Sequence, residues 1–152
     1  MNMVRLLYVS HLAKDCGPDD LAKILEVSRK NNQKTGVTGA LCYSANGFLQ
    51  CIEGPPEAVN DLYRHIARDD RHVDVTLLDY SDVNDRAFGK WSMAYIREDE
   101  IDGSILEQIR GTTTFDPFDL APGEAFDFLK RVTQERTVFL GRQQAAAENA
   151  EG

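Results

Sequence analysis

GALCYSANGFLQCIEG, residues 39–54, decides the fold. Two short apolar runs, Gly39–Ser44 and Phe48–Glu53, flank Ala45-Asn46-Gly47. Asn-Gly between alternating apolar residues is a strong local signal for a β-hairpin, because both residues tolerate the positive φ of a tight turn. With Asn46 and Gly47 as the turn residues, Ala45 faces Phe48, Tyr43 faces Gln50 and Leu41 faces Ile52. Leu41, Tyr43, Phe48, Gln50 and Ile52 then share one face, and Cys42 meets Cys51 on the other.

On the N-terminal side, Val4–Ser10 (VRLLYVS) is a first strand, with Tyr8 in phase with Leu6. Gly17 and Pro18 punctuate, and Asp19 or Asp20 is the expected N-cap of a helix. Leu21, Ile24, Leu25 and Ser28 recur at helical spacing, Asn31 and Asn32 continue that stripe, and Gly36 and Gly39 bound the exit. On the C-terminal side, Gly54-Pro55-Pro56 ends the hairpin and opens a second helix. Val59, Leu62, Tyr63 and Ile66 form its apolar stripe, with Asp69 in phase after them. A fourth strand over Val73–Tyr80, a connection over Val83–Gly89 and a fifth strand over Trp91–Ile96 follow. Trp91, Met93 and Tyr95 are expected on one face of that last strand.

The order β-α-β-β-α-β-β predicts an α+β, ferredoxin-like sheet with two helices on one face. Beyond Arg97 a C-terminal helical extension is expected. Ile101, Ile105 and Ile109 mark one helix, and Phe126, Leu129 and Val132 another, with a loop over Gly111–Pro122 between them. From Gly141 the chain is rich in Ala, Gln and Glu without an apolar stripe, and disorder is expected there. The organisation is therefore residues 1–97, 98–140 and 141–152.

The formal net charge of −8 over 152 residues disfavours a nucleic acid or an anionic membrane surface as partner. Three cysteines without a C-x-x-C pair, and three histidines without metal spacing, point to free thiols and no metal. Met3–Val9 is too short for a signal peptide and is interrupted by Arg5, so a reducing cytoplasm is the expectation. Neither G-x-G-x-x-G nor a Walker A loop occurs, and no Ser-His-Asp or Cys-His grouping can be argued.

Three polar residues fall where a plain core would be apolar. Asn32 on the helix stripe is explained as a C-cap near Gly36, Gln50 as a backbone-bonded glutamine, and Tyr8 as a core tyrosine with a satisfied hydroxyl. All three nevertheless converge on the space between sheet and helices. A phenol beside two amides offers donors and acceptors to a flat heterocycle with imide groups, and convergent polar groups in an apolar pocket mark a ligand site.

RLLYVS, SRKNNQKTGVTGALCYSANGFLQCIEG, HIARDDRH and FGKWSMAYI strongly resemble the BLUF family, sensors of blue light using FAD. The likeness runs in register from Met3 to Arg97. The segment beyond it is similar to that of short stand-alone members without an output enzyme domain. The resemblance implies non-covalent FAD, with the isoalloxazine ring between the two helices. It implies that Tyr8 and Gln50 are the photochemical pair, that Asn32 bonds the ring edge, and that Ile24 and Ile66 sandwich the ring. Asn31, Asp69, Arg71 and His72 would lie near the ring or the ribityl phosphate end, with Ser28, Leu41 and Phe48 completing the pocket. At His65 some relatives carry arginine, which puts a charged contact to the ring carbonyl in question. By the same resemblance Tyr8 gives an electron and, through Gln50, a proton to the light-excited flavin, the Gln50 amide is left rearranged, and Trp91 and Met93 pass the signal on.

The chain is thus expected to be a photoreceptor and not an enzyme. Leu7, Val9, Cys42, Leu49 and Cys51 give the outer sheet face enough apolar character to need a cover, from the C-terminal helices, a second copy or both. A homo-oligomer and a separate downstream signalling protein are the expected partners. Two other functions fit the architecture: an acylphosphatase-like small hydrolase, and a cofactor-free ferredoxin-like interaction module. The first would need an anion-binding loop of backbone amides, whereas His11–Pro18 is acidic and poor in glycine. The second leaves Asn32 and Gln50 unexplained.

Overall fold

The computed structural model describes residues 2–101, 103–111 and 114–134. The strands are β1 (Met3–Leu12), β2 (Thr38–Ser44), β3 (Gly47–Gly54), β4 (His72–Val83) and β5 (Ala94–Arg97). Helix α1 (Pro18–Thr35) follows β1, and α2 (Pro56–Arg68) follows β3. Beyond β5 come α3 (Gly103–Arg110) and α4, a helix over 122–134. The sheet order β4-β1-β3-β2-β5 puts β3 at the centre between β1 and β2, with β5 parallel to β2 and the other pairs antiparallel. The expected α+β, ferredoxin-like arrangement is what forms. The residues from Gly141, expected to be disordered, lie outside the described ones.

Each face of the sheet carries its own core. The inner one gathers Leu6, Tyr8, Leu41, Phe48 and Ile52 from the strands against Leu21 and Leu25 of α1 and Val59 of α2. The outer one gathers Leu7, Val9, Cys42, Leu49 and Cys51 under Ile105, Leu106, Phe128, Leu129 and Val132. The cover that the outer face needed is therefore supplied by α3 and α4.

Several sequence expectations shift. Helix α1 is capped by Gly17, not Asp19 or Asp20: Pro18 takes the first helical position, and the Asp20 carboxylate accepts the Gly17 N–H at 2.9 Å. The helix ends at Gly36, whose φ of 77° suits glycine and whose N–H donates to the Asn32 carbonyl at 3.0 Å. The hairpin pairs Ser44 with Gly47, so its turn residues are Ala45 and Asn46. Gly47 instead opens β3 at φ 138°, where an added Cβ would lie 2.6 Å from the Ser10 carbonyl. Tyr43 consequently faces Phe48 and Leu41 faces Gln50. Cys42 pairs with Leu49 and Cys51 with Ala40, so the two thiols do not oppose each other, and both are free. The register moves by two residues, which preserves every face assignment.

Strand β4 extends three residues past Tyr80. Strand β5 is shorter than expected, because residues 91–93 bend and join no ladder. Alternation therefore fails there: Trp91 packs on the outer core, while Met93 and Tyr95 belong to the inner one. Ile101 precedes α3 and does not join the helix of Ile105 and Ile109. Among the described residues, no helix is long and apolar enough to cross a membrane and no His/Cys/Asp/Glu group could hold a metal.

Candidate flavin site

Tyr8 and Gln50 are direct cross-strand partners at the middle of the sheet. Both side chains point to the inner face, and both residues are buried, at 0% and 7% exposure. The Tyr8 hydroxyl donates to Gln50 Oε1, and Gln50 Nε2 donates to the Met93 sulfur at 3.3 Å. Burial pushes the Tyr8 hydroxyl far above the ordinary phenol range, with Tyr63 adding to the shift, so Tyr8 stays protonated and a donor. The Tyr63 ring meets Tyr8 edge-on at 5.8 Å between centroids.

Above this pair, α1 and α2 leave a cleft of about 470 Å³. Ile24, Ser28, Asn31 and Asn32 line it from α1, Leu62, His65 and Ile66 from α2, Asp69 and Arg71 from the following turn, and His72 from the start of β4. A small enclosed space beneath it, bounded by Tyr8, Leu41, Phe48 and Gln50, shares Ile24, Ser28, Leu62, Ile66 and His72 with the cleft. Through these shared walls the cleft adjoins the space that Tyr8 and Gln50 bound. Its size falls in the range of about 300–1,000 Å³ typical of small-molecule sites. Apolar walls from Ile24 and Ile66, with amides, an imidazole and a guanidinium at the edges, fit a flat ring bearing polar edges and a charged tail.

Asn32 is 2% exposed and lies inside α1, not at its C-cap, which is Gly36; its Nδ2 donates to the Ser92 carbonyl at 2.8 Å. His72 is turned inward by Ser10 Oγ, 3.1 Å from its Nδ1, and its ring lies 5.2 Å from that of Phe48. Burial lowers its pKa below the usual imidazole value, which the Asp69 carboxylate partly opposes. Asp69 is itself paired with Arg71, Nε to Oδ1 at 2.9 Å, and that hydrogen bond holds its carboxyl at about 2. His65 is exposed and spends Nδ1 on the Asp61 carbonyl at 2.7 Å, at the rim of the cleft. Trp91 does not line the cleft.

Ser10, Leu62, Tyr63 and Arg29 were not given a site role from sequence. Ser10 shares the parity of Tyr8 on β1, and Leu62 and Tyr63 lie on the recognised stripe of α2, so strand and helix phase carried that information. Arg29 lies beside the stripe of α1 and gave no signal; its Nε donates to the Met93 carbonyl at 3.1 Å.

Comparison with known proteins identifies a family. Residues 3–94 match the family model described as BLUF, "Sensors of blue-light using FAD". The chain is 34% identical over 87 residues to photoactivated adenylate cyclase subunit alpha of Euglena gracilis, 57% of this chain and 8% of that protein. It is 32% identical over 119 residues to the blue light- and temperature-regulated antirepressor BluF of Escherichia coli K12, 74% of this chain and 29% of that protein. It therefore spans less than a third of either relative. The solved structure of BlsA in its photo-activated state superposes with a TM-score of 0.76 at 31% identity, over 86% of this chain and 94% of that one.

Proposed function

The chain belongs to the BLUF family, sensors of blue light using FAD, and we propose that its flavin is FAD, held between α1 and α2 above Tyr8 and Gln50. These 152 residues are a flavin-using blue-light sensor, not a catalyst, and the acylphosphatase-like and cofactor-free alternatives are not favoured. One observation supports the placement most: the Tyr8–Gln50–Met93 hydrogen bonds run from the floor of the cleft to the residue that precedes β5.

A flavin bound there would supply the blue-light absorption and, once excited, the oxidising power. Tyr8, protonated and bonded to Gln50, is placed to release an electron towards the cleft and its hydroxyl proton to the amide. Gln50 relays that proton; electron and proton then return to Tyr8, and the Gln50 amide is left rearranged. The Met93 sulfur is a weak acceptor, so it holds the amide N–H only lightly. Ile24 and Ile66 would sandwich the ring, Asn32 would bond its edge, and Ser28, Leu41 and Phe48 would close the pocket. Asn31, His65, Asp69 and Arg71 would lie towards the open end and the ribityl phosphate, with His72 deeper, near the ring.

One rearranged hydrogen bond is worth only about 0.5–1.5 kcal/mol. Moving a two-state element from mostly off to mostly on takes about 5.5 kcal/mol. Gln50 therefore cannot switch the protein alone, and the segment of Trp91 and Met93 repacks with it. The output is a change in assembly between copies, or in affinity for a separate signalling protein, in the cytoplasm.

The test is to heat-denature the purified protein and identify the flavin released. FAD in the supernatant is expected. A colourless protein after incubation with FAD would refute the placement, and FMN alone would refute the choice of flavin.

A further inference from the structure

Three consecutive carbonyls precede β5 outside any strand ladder. The Trp91 carbonyl accepts from the Gly39 N–H at 3.1 Å, that of Ser92 from Asn32 Nδ2 at 2.8 Å, and that of Met93 from Arg29 Nε at 3.1 Å. Two of these donors stand three residues apart on α1, so one helix grips the segment twice. The gripped residue, Met93, accepts from Gln50 through its sulfur. Of the two helix donors, Asn32 lines the flavin cleft, whereas Arg29 borders a separate open groove of about 700 Å³.

We infer that Arg29 is a positioning residue of the photocycle: its bond to the Met93 carbonyl holds the Met93 sulfur against the Gln50 amide and times the return to the dark state. The inference rests on the proposed roles of Tyr8, Gln50 and Met93. The bond fixes the backbone from which the Met93 side chain reaches Gln50, whichever way the amide points. Once Gln50 has rearranged and Met93 has moved, the Arg29 bond re-forms as Met93 comes back, and it favours that return.

The test is the rate at which the light-induced absorption shift decays in the dark. Arg29→Met should bind flavin and shift as the parent does, but recover roughly two- to tenfold more slowly, as expected for one lost hydrogen bond. Arg29→Lys keeps a donor and should recover close to the parental rate, and Arg29→Met should have no further effect in a Met93→Ala background. A parental rate in Arg29→Met, an equally slow Arg29→Lys, or an undiminished effect in the double variant would overturn the inference. Trp91, the chain's one tryptophan, gives a second readout that needs no photocycle. Its fluorescence in the dark should be more readily quenched by acrylamide in Arg29→Met than in Arg29→Lys or the parent, and identical quenching would overturn the clamp. A parent that binds flavin but shows no reversible shift would instead refute the photochemical roles, with the quenching result still deciding the clamp.

Discussion

Glu53 has no solvent exposure, yet its carboxylate is fully engaged. Arg5 Nε donates to it at 3.3 Å, Thr38 Oγ1 at 3.2 Å, and the backbone N–H groups of Ala87 and Phe88 at 3.0 and 2.6 Å. It pins the connection between β4 and β5 to the sheet. Glu53→Gln keeps the shape but turns an amide N–H₂ towards these donors, and should lower stability by about 1–3 kcal/mol in urea unfolding. An unchanged midpoint would show that the latch is not needed. Arg5 and Glu53 lie directly opposite on β1 and β3, a cross-strand ion pair that the hairpin alone could not reveal. His72 supplies a pH dependence. Its folded pKa lies below the ordinary value near 6.5, so on acidification the unfolded chain takes up a proton that the native imidazole resists. Stability should therefore fall as pH drops from about 6.5 towards the folded pKa. That acid loss should shrink in His72→Asn, and an equal loss in both proteins would assign it to other groups.

At the scale of elements, α4 matters most to the outer core. Phe128 is fully buried and stacks on Phe115 with centroids 5.0 Å apart. Phe128→Ala should cost about 3–5 kcal/mol, read as a shift in thermal or urea unfolding. A cost below 1 kcal/mol would mean that α4 does not anchor the cover. The hairpin was legible because parity survives a two-residue error, so the inner placement of Tyr43, Phe48 and Gln50 held although the turn moved from Asn46-Gly47 to Ala45-Asn46. The stretch before β5 was not legible. Trp91, Ser92 and Met93 look like alternating strand residues, but side chains of α1 take the carbonyls that a ladder would have used. No periodicity encodes a side-chain-to-backbone bond between segments some 60 residues apart.

The whole molecule is a sheet with an input side and a covered side. Tyr8 and Gln50 face the cleft, while α3 and α4 close the opposite face. Residues 91–93 touch both, Trp91 with the outer core and Met93 with the inner. Because the C-terminal helices bury the outer apolar face, any self-association would use other surfaces. If the 91–93 segment carries the signal, Met93→Ala should keep the light-induced absorption shift and lose any light-dependent change in elution volume or partner binding. A variant that signals like the parent would exclude that route. Sequence phase located the cleft residues on their elements, and the resemblance supplied the flavin; neither contained the grip of α1 on the chain before β5. The light-minus-dark absorption spectrum of the parent beside Tyr8→Phe and Gln50→Leu goes to the heart of the matter. The parent should show a reversible red shift of its flavin bands, and both variants should bind flavin without it. A full shift in either variant, or none in a flavin-loaded parent, would contradict the roles assigned to Tyr8 and Gln50.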